Sequence, residues 1–266
     1  MNKQKTKKKM NIKLSLNMVL YNEEKHIKKC LDNVNDLVDE IVIVIDKKTT
    51  DKTYEICKKY TNKIYFDTAD CCEPLRPLCV KHSDGEWLLV LDADETLDNQ
   101  AKKNIRKIAD AFNKNDGFHI DRKEIILGRH LMTVPTLRLY RRNKVHYSCN
   151  MHEVPKIKGT IGKLKGYMLH NTEERISQFV GKTNKLTSLE AKELIKKSNL
   201  GLFQIFFYAL FNSSKFFFGY LFYKKLILKG IPGFIFAFQS GYHEILKYFK
   251  YYELKYMRNK KSEERK

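Results

Sequence analysis

Glycine and proline are scarce in this chain, at 12 and 5 of 266 residues, which excludes collagen-like and low-complexity architectures. The glycines form no GxGxxG turn and no GxxxxGK[ST] loop, so neither a dinucleotide fold nor a P-loop is supported. Long apolar runs are missing as well. The uncharged stretch from Leu200 to Ser214 falls short of the ~20 residues a bilayer-spanning helix needs, and Gly230, Pro232 and Gly233 interrupt a second apolar block, Ile231 to Gly241. Met1 to Lys13 is rich in lysine and has no apolar core, so no secretory signal is expected and the protein is expected to be cytoplasmic. Its six cysteines are expected to be reduced thiols. Cys71, Cys72, Cys79 and His82 lie close together, but their spacing matches no pair of CxxC knuckles, and they read as incidental rather than as zinc ligands.

Acidic residues are the other deficit. Lys and Arg number 51 against 31 Asp and Glu, a net charge of +20, which implies an anionic partner: nucleic acid, an acidic membrane surface or phosphorylated substrates. Much of this charge is diffuse lysine, whereas forked contacts to bases and phosphates favour arginine. The aromatic residues gather in apolar blocks and do not alternate with basic ones as stacking platforms do. A basic nucleic-acid-binding protein is therefore the alternative from a different class, and no nucleic-acid partner is expected.

The segment Trp87 to Glu95 is the most informative one present, because an apolar run of strand type ends in Asp92-Ala93-Asp94-Glu95. Strands buried on both faces of a parallel sheet read as unbroken apolar runs, and ligands sit beyond their carboxyl ends. Asp92, Asp94 and Glu95 are of the type that holds Mg²⁺ or Mn²⁺ against nucleotide phosphates. An acidic turn capping the helix that starts near Asp98 is the competing reading. Upstream, Ile12 to Leu20, Glu40 to Ile45 and Lys63 to Phe66 read as strands. A helix from about Glu24 to Val34 and another carrying Tyr54, Ile56, Cys57 and Tyr60 separate them. This β-α-β-α-β rhythm predicts an α/β fold. Its strand ends carry Asn22-Glu23, Asp46 and Asp92-Ala93-Asp94, carboxylates rather than glycines.

Taken together, Val19 to Glu24, Val44-Ile45-Asp46 with Thr49 to Thr53, and Gly85-Glu86-Trp87 running into Leu91 to Glu95 resemble the inverting glycosyltransferases of family 2 with a GT-A fold. Leu137 to Arg142, His152-Glu153, Leu169-His170 and Leu186 to Ala191 extend the resemblance toward the lipopolysaccharide-core glucosyltransferase branch. The resemblance implies a GT-A type, mostly parallel sheet flanked by helices, and a metal-dependent hexosyltransferase using Mg²⁺ or Mn²⁺. The donor would be a nucleotide-diphosphate sugar, a UDP-sugar first, and the acceptor a glycolipid or cell-envelope saccharide. By the same analogy Tyr21, Asn22, Glu23, Asp46, Arg76, Asp92 and Ala93 would surround the nucleotide sugar, with Asp46 at the base. Asp94, Asp92 and His170 would hold the metal. Glu153 would take the acceptor proton, with His152 as the second candidate. A polyprenyl-phosphate sugar synthase is the alternative within the enzyme class. Lys47 and Lys48 depart from the small residues usual in the family and read as solvated. Alternation along Leu137 to Arg142 puts Arg138 and Arg142 on one face and Arg141 on the other, and one of them is expected to meet phosphate.

After Lys197 the chain becomes aromatic and apolar, edged by Lys215, Lys224, Lys225, Lys229, Lys247 and Lys250. That pattern predicts helices lying on an anionic membrane surface. The expected organisation is a basic tail over 1–10, a catalytic domain over 11–190 and a helical membrane-surface region over 191–266. The expected location is peripheral, on the inner face of the cell membrane.

Overall fold

A computed structural model describes residues 12–68, 75–147, 155–171 and 175–257; the basic tail lies outside them. The chain forms two compact units, Met1–Lys123 with Thr133–His170, and Glu124–Met132 with Asn171–Lys266.

The first unit opens with β1 (Leu14–Leu20), α1 (Ile27–Val34), β2 (Glu40–Asp46), α2 (Thr53–Cys57), β3 (Ile64–Asp67), α3 (Arg76–His82) and β4 (Trp87–Val90). Every residue of β1, β2 and β4 is buried, the signature of strands covered on both faces. They pair in parallel, β3 on β2, β2 on β1 and β1 on β4. There follow β5 (Glu95–Leu97), α4 (Asn99–Asp110), β6 (Gly117–Ile126), β7 (Arg129–Arg141), β8 (Val145–His146), β9 (Lys156–Ile157) and β10 (Ile161–Asn171). The central sheet runs β3-β2-β1-β4-β7-β6-β10-β5, with β7 antiparallel to β4 and β5 antiparallel to β10. This is the expected α/β class with a helical C-terminal region; antiparallel strands extend its parallel half. One sheet face packs on Ile27, Leu31 and Val34 of α1 and on Ala101 and Ile105 of α4. The other receives Leu75 and Cys79 against Val19, Val42 and Val44.

The second unit contains α5 (Ile176–Lys197), α6 (Leu202–Phe218) and α7 (Ile231–Tyr252), with α5 and α6 both packed on α7. Ala191, Ile205, Ala209, Tyr248 and Tyr251 form its core. The β6–β7 hairpin tip belongs here: Ile126 and Leu131 are buried with Leu226, and the turn Leu127-Gly128 has both residues at positive φ, 48° and 73°, as a two-residue hairpin requires. The expected boundary at 190 therefore moves. α5 continues unbroken across it because Thr183, Thr187 and Ala191 form one buried stripe, and the division falls at Asn171. No helix among the described residues is long and apolar enough to cross a membrane.

Candidate active site

The ends of β1 and β2 are tied together by their own loops. Asn22 adopts a left-handed conformation (φ 53°), which asparagine tolerates better than most residues, and its Oδ1 accepts from the Thr50 amide at 2.8 Å. The Glu23 amide donates to Thr53 Oγ1 at 2.8 Å and the Glu24 amide to Asp51 Oδ2 at 3.0 Å, while Glu24 Oε2 accepts from the Lys52 amide at 3.1 Å. Asp51 also receives the Thr53 amide and hydroxyl at 3.0 and 2.5 Å. Partial burial pushes the Asp51 carboxyl up, and these hydrogen bonds outweigh it, leaving the group below its ordinary value. α1 begins at Ile27, later than the Glu24 expected from the sequence. Asp46 is buried at the end of β2, its Oδ1 taking the Lys48 amide at 2.8 Å. Lys47 and Lys48 are exposed.

Beyond β4 the acidic segment divides its labour. Asp98, not the upstream cluster, caps α4: its Oδ1 accepts from the Ala101 amide at 2.9 Å and from the Tyr167 amide of β10 at 2.9 Å. Glu95 does not project outward as the sequence suggested. It is fully buried, with Oε2 accepting from the Asp92 amide at 3.0 Å and Oε1 meeting Arg138 at 2.5 Å and Arg122 at 3.5 Å. Asp92 Oδ1 accepts from Arg76 Nη2 at 2.9 Å and Oδ2 from Arg138 Nη2 at 2.5 Å. Burial alone would raise the Asp92 carboxyl, but the charges and hydrogen bonds of Arg138 and Arg76 reverse this and hold it well below the usual carboxylate range. Glu95 goes the other way: burial and the neighbouring Asp92 charge raise it despite Arg138. His170 stands opposite Glu95 in the β5–β10 register, and its Nε2 lies 3.3 Å from Asp94 Oδ2.

The structure thus brings Arg76, Asp92, Ala93, Asp94 and His170 together and adds Arg138. The sequence marked Arg138 only as one of three arginines in a strand; the sharper signal was a charge flanked by Leu137, Leu139 and Tyr140, all of which are buried. Arg76 Nη1 and Arg138 Nε are buried without a hydrogen-bond partner among the described residues, donor capacity that suits an anionic group such as phosphate. Arg141 lies over the Trp87 ring at 4.5 Å and pairs with Glu86, and Arg142 Nε donates to the Gly85 carbonyl at 3.1 Å, so both anchor the chain beside β4. Tyr21, Asn22, Glu23 and Asp46 sit at the ends of β1 and β2. Glu153 and His152 lie outside the described residues, as do Cys71 and Cys72. Cys79 is buried, its Sγ 3.3 Å from the Met18 carbonyl, and His82 stacks on Tyr65 at 3.7 Å, so both serve packing. No three His, Cys, Asp or Glu side chains among the described residues gather as a metal cage.

The profile of glycosyl transferase family 2 matches residues 15–168. An uncharacterized glycosyltransferase of Rickettsia typhi is 28% identical over 209 residues, which cover 70% of this chain and 69% of that protein. The SPbeta prophage-derived glycosyltransferase SunS of Bacillus subtilis is 33% identical over 157 residues, 53% of this chain but only 34% of SunS. Among solved structures, the mannosyltransferase PcManGT of Pyrobaculum calidifontis, in complex with GDP-Man and Mn²⁺, aligns with a TM-score of 0.49 at 11% identity, covering 93% of this chain and 89% of that one.

Proposed function

Since the chain belongs to glycosyl transferase family 2, we propose that it moves a sugar, with inversion, from a nucleotide-diphosphate sugar to a hydroxyl of a glycolipid or cell-envelope saccharide at the inner face of the membrane. We take a UDP-sugar as the first donor to test. The observation that carries this reading is the convergence of Arg76, Arg138, Asp92, Asp94 and His170 beyond the end of β4. Two guanidiniums with spare N–H donors suit a diphosphate, and Asp92 holds both in place.

Mg²⁺ or Mn²⁺ fits one part of this site. Asp94 and His170 are the side chains that would hold it; both Asp92 oxygens are already engaged by arginine, which favours a positioning role for that residue. Such ions are commonly bound by one or two protein ligands, with substrate phosphates and water completing the shell. When bound, the ion would neutralise charge that develops on the leaving diphosphate. The chain's own residues would orient the donor through Asp46 and the β1–α1 loop, and take the acceptor proton at the Glu153 carboxylate.

The first test is thermal-shift titration with nucleotide diphosphates and nucleotide sugars, with and without Mn²⁺. A ligand of the folded state at a hundred times its Kd adds about 2.7 kcal/mol of stability. Asp94→Asn keeps the side-chain shape but loses the charge, so it should remove the metal-dependent part of the shift while leaving the unliganded melting temperature within a few degrees. Equal donor and metal binding by Asp94→Asn would refute the metal assignment. Glu153→Gln should bind donor normally and lose turnover; turnover at the wild-type rate would remove Glu153 as the base and point to a phosphate acceptor, which needs none.

A further inference from the structure

The second unit carries an apolar surface that its own fold leaves uncovered. Along α6, Phe203, Phe207, Phe211 and Phe218 are exposed, while Ile205 and Ala209 on the opposite side form core. Their spacings of four, four and seven residues put the exposed rings on one helical face. They stack on each other, Phe203 on Phe207 at 6.4 Å, Phe207 on Phe211 at 5.7 Å and Phe218 on Phe222 at 6.0 Å between ring centroids. The helix then passes through a wider turn, Gly219–Tyr223, a left-handed Lys225 (φ 56°) and a 3₁₀ turn, Leu226–Lys229, before α7 begins. At this connection Tyr223, Leu228 and Ile231 are 83%, 78% and 76% exposed. Soluble proteins seldom leave an apolar patch of this extent bare.

Charge identifies the occupant. No aspartate or glutamate occurs between Glu193 and Glu244, so α6 and its connection to α7 carry no carboxylate of their own; the neighbouring Glu124, whose charge reaches Tyr220, is buried. Lys215, Lys224 and Lys225 are exposed beside the aromatic residues. The lysines of α7 are spent internally: Lys247 pairs with Glu244, and Lys250 donates to the Asn184 carbonyl and Thr187 Oγ1. The sequence had counted Lys247 and Lys250 in the basic edge, which is thereby narrowed to the end of α6 and its connection to α7. A second copy docking face to face would bring these cations against their own kind, whereas an anionic lipid surface pairs with them and takes up the rings.

We propose that the exposed face of α6 and the α6–α7 connection form the membrane-contact surface, with Tyr223, Leu228 and Ile231 entering the acyl boundary and Lys224 and Lys225 on lipid headgroups. This deepens the membrane part of the proposed function and rests on it, but it does not depend on the donor chemistry.

The test is co-sedimentation of the full chain with phosphatidylcholine vesicles with and without phosphatidylglycerol. The intact protein should bind the anionic vesicles strongly at low ionic strength, more weakly at physiological salt, and the neutral ones poorly. Lys224→Gln with Lys225→Gln should weaken anionic binding roughly twenty-fivefold, at about fivefold per lysine, and Phe203→Gln with Phe207→Gln and Phe211→Gln should abolish it. Circular dichroism and the nucleotide thermal shift on the same samples separate loss of the surface from loss of fold or of donor binding. Should the phenylalanine variant unfold, the lysine pair decides alone. Failure of the intact protein to bind anionic vesicles at low salt overturns the proposal. So does wild-type binding by the lysine variant, or a concentration-dependent dimer in sedimentation velocity that the phenylalanine substitutions abolish while vesicle binding persists.

Discussion

A guanidinium at position 138 serves Asp92 and Glu95 at once, which makes it the most consequential single side chain of the site. Removing one partner of a buried ion pair leaves an uncompensated charge and costs ~3–5 kcal/mol. Arg138→Met should therefore lower stability by about that much in urea unfolding, with Arg138→Lys intermediate because one ammonium replaces a fork poorly. The loss should depend on pH with a definite sign. Glu95 is already raised by burial, and without Arg138 it would rise further, so the folded variant would bind more protons than the unfolded chain above the ordinary glutamate value of about 4.3. Stability then falls as pH rises through that window. Asp92 works in the opposite sense in the wild type: its depressed value contributes stability above about 3.9 that is lost on acidification. The deficit of Arg138→Met relative to wild type should accordingly be largest near neutrality and shrink toward pH 5. A deficit independent of pH would mean that Glu95 is not the charge left stranded.

At the scale of the element, the acidic stretch after β4 separates two readings that one sequence could not. A cap and a ligand site both call for carboxylates beyond a strand, and only the distance from Asp98 to Ala101, with the β10 amide of Tyr167 on the same oxygen, assigns the cap to Asp98. Gly166 allows the close approach of β10 to α4: at φ 109°, a side chain there would meet the Ala101 backbone nitrogen at 2.3 Å. Asp98→Ala should cost ~1 kcal/mol or somewhat more, since an N-cap is worth about that and a second amide loses its acceptor. It should leave nucleotide affinity unchanged, the reverse of Asp94→Asn. Loss of nucleotide binding in Asp98→Ala at temperatures where it is folded would show that the cap and the site are not separable.

Over the whole molecule, legibility in the sequence followed the range of the interactions involved. The runs Leu14 to Leu20, Glu40 to Ile45 and Trp87 to Val90 declared themselves because a strand buried on both faces has a local signature, and the carboxylates at their ends came with them. Arg138 was harder, because its value lies in partners more than forty residues upstream that only sheet pairing brings near. Assignment of the β6–β7 tip to the C-terminal unit was not legible at all, since nothing in Glu124 to Met132 marks it off from the strands it ends. That placement governs what truncation would do. A chain ending at His170 would retain the sheet and its carboxylates but strip the cover of Leu226 from Ile126 and Leu131, which are buried in the intact protein. Each side chain so exposed forfeits roughly 1.5–3 kcal/mol of burial and becomes sticky. The plain truncation should therefore aggregate, whereas the same truncation with Ile126→Thr and Leu131→Thr, β-branched polar residues that still suit a hairpin, should be monomeric by light scattering. It should also give the same nucleotide-induced thermal shift as the full chain. Aggregation of both truncated chains would show that the first unit needs more of Asn171–Lys266 than cover for this tip.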